Sequence, residues 1–131
     1  MSIPAKILVV DGHRLLRDFL CSLLADQPDW DVYEAENGEV ALDRIQEVKP
    51  DVVVLAVMMP EMNGLELAGK VRKLSPETRV IFMSSHLSPQ EADLITRLSG
   101  GNFLQKSDLG RELIPTISRL LSPERTHCPK A

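Results

Sequence analysis

Residues 7–10 (ILVV), 52–55 (VVVL) and 80–83 (VIFM) are unbroken apolar runs dominated by valine, isoleucine and leucine. They show no alternation of polar and apolar positions, so a strand built from any of them is buried on both faces. That restricts the fold more than any other feature of the chain, because only a parallel sheet covered by helices on each side buries strands in this way. A weaker run at 32–35 and the short stretch 102–104 bring the expected strands to five.

Segments with helical spacing separate the runs. Leu15, Phe19, Leu23 and Leu24 make one apolar stripe, and Val40, Ala41, Ile45 and Val48 a second. Leu65, Leu67, Ala68, Val71 and Leu74 form the third, Ala92, Ile95 and Leu98 the fourth, and Leu113, Ile117, Leu120 and Leu121 the fifth. Turn-forming residues fall between them: Asn37-Gly38, Lys49-Pro50, Pro60, Ser75-Pro76, Ser88-Pro89 and Gly100-Gly101. Ser88-Pro89 with Glu91 reads as a helix start with a capping box. Pro115 lies inside the last stripe, about one turn into a helix starting near Gly110, and predicts a small bend. The expected fold is α/β: a doubly wound, five-stranded parallel sheet with five helices. One domain spans residues 1–122, and the polar, proline-interrupted residues 123–131 read as a tail or linker stub.

The bulk composition narrows function. The chain has 131 residues, a net charge of -4 and no basic run, which argues against a nucleic-acid or membrane surface. Cys21 and Cys128 are too isolated for a disulfide framework, and three scattered histidines give no metal-ligand spacing. No apolar stretch has the length of a membrane span, so a cytoplasmic protein is expected. In an open parallel sheet, chemistry gathers beyond the carboxyl ends of the strands. The strands deliver Asp11-Gly12, Ala56, Ser84-Ser85 and Lys106 there, and Asp11, Ser84 and Lys106 are the polar groups that converge.

Here the sequence resembles the receiver domain of bacterial two-component response regulators, which has a CheY-like fold. The carriers of the likeness are ILVVDGHRLLRDFL, DVVVLAVMMPEMNGLEL, VIFMSSH and GGNFLQKSD, in the expected order and spacing, and the resemblance covers roughly residues 3–122. The opening after Gly12 and the ending after Gln105 look most like the subfamily with a helix-turn-helix output domain. The resemblance implies phosphoryl transfer to an aspartate, with a magnesium ion held by an acidic pair and a backbone carbonyl. It assigns Asp11 to the acidic pair, Met58 to the carbonyl, Lys106 and Ser84 to the phosphoryl oxygens, and Phe103 to the switch aromatic. Two positions depart from it. Gly12 stands where the second acid is expected, and Ala56 stands at the phosphoacceptor.

An alanine methyl cannot become an acyl phosphate, so no ordinary phosphorylation, no cofactor and no enzymatic activity are expected. Lys106 is then expected to pair with Asp11 alone. The bland readings are a strand-end hydroxyl for Ser84, simple packing for Phe103 and loop positions for His13, Ser85 and His86. Met59 is expected to be partly buried, with Pro60 and Gly64 shaping the turn.

The function expected is a phosphate-independent interaction module that acts through the face of helix four, strand five and helix five, residues 88–121. Gln90, Asp93, Arg97, Gln105, Arg111 and Glu112 would set its specificity. A histidine kinase, an output domain or a second copy could be the partner, while DNA would be a partner only of a longer protein. The alternative is an engineered, phosphorylation-null form of an ordinary receiver; the second loss at Gly12 weighs against it. A nucleotide or flavin enzyme is disfavoured by the lack of a glycine-rich turn after strand one and by 4% aromatic content.

Overall fold

The computed structural model describes residues 3–59, 62–99 and 102–121. Within them the chain runs β1 (Ala5–Val10), α1 (Arg14–Ala25), β2 (Trp30–Ala35), α2 (Gly38–Val48), β3 (Val52–Ala56), α3 (Gly64–Leu74), β4 (Arg79–Ser84), α4 (Pro89–Ser99), β5 (Phe103–Gln105) and α5 (Leu109–Leu120). A 3-10 turn at Lys106–Asp108 joins β5 to α5. All four strand pairings are parallel, and the sheet order is β2-β1-β3-β4-β5. The order reverses between β1 and β3, which makes the carboxyl end of that pair the switch point of the sheet.

Each face of the sheet has its own core. Leu8, Val10, Val53, Leu55, Val80 and Phe82 point to one side and pack against Ala41 and Ile45 of α2, Leu67, Ala68 and Val71 of α3, and Ile95 of α4. Ile7, Val9, Val52, Val54, Ala56, Ile81 and Met83 point to the other, against Leu20 and Leu24 of α1 and Leu109, Leu113 and Ile117 of α5. Every residue of β3 is buried, as an uninterrupted apolar run in the middle of such a sheet must be.

The expected elements are all present, with edges shifted by one or two residues. The helix starts follow local chemistry. Asn37 Oδ1 accepts from Val40 N–H at 2.8 Å and caps α2. Ser88 and Glu91 form the expected capping box, at 3.0 Å from Ser88 N–H to Glu91 Oε1 and 3.2 Å from Glu91 N–H to Ser88 Oγ. Helix α5 starts at Leu109 and continues through the exposed Pro115 without a break. Pro60, Gly100, Gly101, residues 122–131 and Cys128 lie outside the described residues.

The stripe expected for α1 is corrected by the structure. Leu15 is 86% and Phe19 50% exposed, whereas Leu20 and Leu24 are fully buried. This helix carries leucines on two neighbouring lines, so apolar periodicity alone fits either rotation. Arg17 decides between them: its Nη1 donates to the Asp11 carbonyl at 2.8 Å and its Nε to Glu34 Oε1 at 2.7 Å, which turns the line of Leu20 and Leu24 inward. Smaller departures are Leu74, exposed at the end of α3, and Ala92, exposed on α4; the side chain of Leu98 is not among those described.

Candidate functional site

The site is built where β1, β3, β4 and β5 end. Asp11, directly after β1, is 2% exposed. Its Oδ1 accepts from His13 N–H at 2.8 Å, which closes the turn into α1. Its Oδ2 has no hydrogen-bond partner and faces Lys106 Nζ at 3.5 Å. Lys106 opens the 3-10 turn after β5 and keeps its side chain 25% exposed. The expected pairing of Asp11 with Lys106 is therefore present, as an ion pair a little longer than a hydrogen bond.

Ala56 ends β3, opposite Met83 in the sheet register, and is fully enclosed. The chain then doubles back so tightly that a Cβ on Gly64 would stand 2.0 Å from the Ala56 carbonyl oxygen. Gly64 N–H donates to Val57 O at 2.8 Å, and Asn63 Oδ1 accepts from Leu65 N–H at 2.7 Å to cap α3. Gly64 is thus fixed by a close backbone approach, as expected of a turn-shaping residue. A pocket of about 260 Å³ lies over this edge, lined by Asp11, Gly12, His13 and Met58. Met58 is exposed and Met59 half-buried between the two cores.

Ser84, at the end of β4, is 3% exposed. Its hydroxyl donates to His86 O at 2.9 Å and accepts from His86 N–H at 3.1 Å, so both functions are satisfied within its own loop. Phe103 is half-buried and packs against the core beneath α4. His13, Ser85 and His86 are exposed loop or cap residues. Among the described residues no three His, Cys, Asp or Glu side chains converge on one point.

Arg17 and Glu34 are the functional-site residues that sequence reading missed. Arg17 fastens the Asp11 carbonyl to the end of β2 and lies in a second cavity of about 470 Å³ that Arg14, Glu34 and Arg44 also line. The usable signal was an arginine interrupting the apolar spacing of α1 six residues after a conspicuous aspartate.

A doubly wound sheet in the order 2-1-3-4-5, with a carboxylate and a lysine meeting over its switch point, defines a CheY-like α/β domain. The chain belongs to the response regulator receiver domain family, whose model matches residues 7–118. It is similar to the nitrate/nitrite response regulator protein NarL of Escherichia coli K12, with 38% identity over 92% of this chain and 56% of that protein. The chemotaxis protein CheY of Listeria monocytogenes is 39% identical over 61% of this chain and 67% of its own length. Among solved structures, Vibrio cholerae CheY4 superposes with a TM-score of 0.82, at 28% identity over 90% of this chain and 99% of that one. The chain spans about half the length of NarL. Among the described residues no helix is long and apolar enough to cross a membrane.

Proposed function

We propose that this receiver signals without accepting a phosphoryl group and works as a cytoplasmic protein-interaction module rather than an enzyme. The observation that carries the reading is what stands at these strand ends. Ala56, at the position the family uses as acceptor, is fully buried, and Asp11 beside Gly12 is the single carboxylate lining the pocket. A methyl has no lone pair with which to attack phosphorus.

The donor set also fails to fit magnesium. Asp11 Oδ1 is engaged by His13 N–H, and Oδ2 faces an ammonium 3.5 Å away. A hard divalent ion there would meet Lys106 with no second carboxylate to offset the repulsion. No step of this domain's action is therefore routed through a metal.

With Ser84 satisfied by its own loop, the face formed by α4, β5 and α5 has no phosphoryl trigger and is held in one arrangement or biased by a partner. Gln90, Asp93, Arg97, Gln105 and Arg111 are exposed on it and Glu112 is half-buried, which supports their role in choosing that partner. A histidine kinase or an output domain of the helix-turn-helix kind is the class of protein such a face would engage. DNA would enter only through such an output domain.

Intact mass after incubation with a small acyl-phosphate donor and magnesium tests the reading, on this chain and on Ala56→Asp. The expected result is that neither is modified. A phosphoryl group on the variant alone would show a competent pocket lacking only its nucleophile, as in an engineered phosphorylation-null form. A phosphoryl group on the unaltered chain would overturn the proposal outright.

A further inference from the structure

Helices α2 and α3 lie side by side on the face of the sheet away from α1 and α5. Between them is a groove of about 250 Å³, lined by Leu42 of α2 and by Lys70, Lys73 and Leu74 of α3. Leu74 belongs to the apolar stripe of its helix yet is exposed, and Leu42 is half-buried. The surface the groove offers is apolar, so the two lysines lend it their hydrocarbon stems while their ammonium groups stand clear. One exposed leucine needs no explanation. A leucine pair in a concave site, bordered on one side by two ammonium groups, has a chemical character of its own.

The charge around this groove is one-sided. Among the described residues neither Lys70 nor Lys73 forms an ion pair or a hydrogen bond, and Glu66, one turn before Lys70, does not pair with it. Arg72, between the lysines in sequence, is engaged elsewhere: its Nη1 donates to Arg97 O of α4 at 3.3 Å. The carboxylates of α2, Glu39, Asp43 and Glu47, do not line the groove, and Glu47 pairs with Arg44 of its own helix at 3.9 Å. Two adjacent unpaired cations are a local exception on a chain whose net charge is -4. Lys70 and Lys73 lie three residues apart, so they rise from one side of α3 and match two carboxylates carried a turn apart on another helix.

We propose that this groove is a docking site for an acidic amphipathic segment of another protein. The segment seats apolar side chains on Leu42 and Leu74 and sets carboxylates against Lys70 and Lys73. This is recognition of a helix in a groove, with the charge on one rim. Electrostatic complementarity decides which segments are accepted, and the apolar contact holds them. The chain's own residues 122–131, SPERTHCPKA, are a poor occupant, having no Leu, Ile, Val, Met or Phe and more basic than acidic side chains. Helix α3 begins against Ala56 and ends at Leu74, so the groove lies toward the end of the sheet remote from Asp11 and Lys106. Docking there is independent of whether the domain accepts phosphate. With so few side chains engaged, the contact falls at the weak, transient end of specific interfaces.

Nuclear magnetic resonance titration of the isotope-labelled 131-residue chain with acetyl-Glu-Glu-Leu-Leu-Glu-Glu-amide at low salt tests this. Amide shifts should saturate and centre on Leu42, Lys70, Lys73 and Leu74. The basic counterpart, acetyl-Lys-Lys-Leu-Leu-Lys-Lys-amide, should leave these amides unmoved. Lys70→Glu/Lys73→Glu should weaken the acidic peptide by about tenfold or more and let the basic one bind. Leu74→Ser should weaken binding with the native spectrum otherwise preserved, and Arg111→Glu on α5 should change nothing. Equal binding of the two peptides, shifts centred on α4, β5 and α5, a double variant that binds the acidic peptide as before, or no saturable shift would each overturn the proposal. Shifts at the same four residues on raising protein concentration without peptide would overturn it too, assigning the groove to a second copy of the chain.

Discussion

Lys106 Nζ reaches Asp11 Oδ2 at 3.5 Å across two intervening strands, β3 and β4, whose own ends present a methyl and a self-satisfied hydroxyl. The pair is asymmetric: the carboxylate is buried and the ammonium partly solvated. Removing the lysine strands a buried charge, whereas removing both leaves a neutral pocket. Lys106→Met should therefore destabilise the fold by about 1–3 kcal/mol, with the double variant Lys106→Met/Asp11→Asn less destabilised than the sum of the singles. Urea unfolding of the four proteins gives the coupling, and strict additivity would mean the two side chains do not interact.

Burial, reinforced by the negative charge of Glu34, pushes the Cys21 thiol up to about 11, against a smaller opposing pull from Arg17. The neutral thiol is the form the fold favours. In the unfolded chain the thiol ionises first as pH rises, so this group's contribution to stability is present below the ordinary thiol range and lost above it, up to about 11. Alkylation of native Cys21 should stay slow at pH 8 and accelerate only toward pH 11, while the denatured chain reacts readily at pH 8. Equal rates for native and denatured protein at pH 8 would contradict the assignment.

Two helical glycines in α3 should respond in opposite ways to alanine. At Gly64 the new Cβ would collide with the Ala56 carbonyl at 2.0 Å, and backbone would have to move; a loss of about 2–4 kcal/mol is expected. At Gly69 nothing lies within 4 Å of that position, so alanine should raise stability by roughly 0.5–1 kcal/mol through helix propensity. Thermal unfolding of both variants settles the contrast.

A buried hydroxyl relay holds the start of β4. Ser75 and Thr78 share a hydrogen bond of 2.7 Å, and Thr78 Oγ1 donates to Pro50 O at 2.8 Å. Thr78→Val keeps the shape but leaves Ser75 Oγ and Pro50 O without that partner. A loss of about 1–3 kcal/mol is expected in chemical denaturation, and a change below about 0.5 kcal/mol would mean that water replaces the hydroxyl.

Much of this was legible in the sequence because it depends on local chemistry. The three apolar runs could only be doubly buried strands, and Ser88 with Glu91 could cap a helix wherever it packed. The meeting of Asp11 and Lys106 was legible once the strand ends were known to share an edge. What escaped was rotation. Two leucine lines on α1 were equally apolar, and the choice depended on Arg17 finding the Asp11 carbonyl and Glu34, a contact between residues distant in sequence. The Ser75–Thr78–Pro50 relay escaped for the same reason, since three turn-forming residues do not announce which of them will be buried together.

Ala56 is enclosed in the core that α1 and α5 cover, with the start of α3 pressed against its carbonyl. A carboxylate reinstated there would enter a wall already closed on it and stand near a buried acid that has only one lysine to share. Placing a carboxylate at Ala56 thus asks for folding free energy before it offers any chemistry. On the proposed reading, the methyl of Ala56 serves the core rather than the pocket.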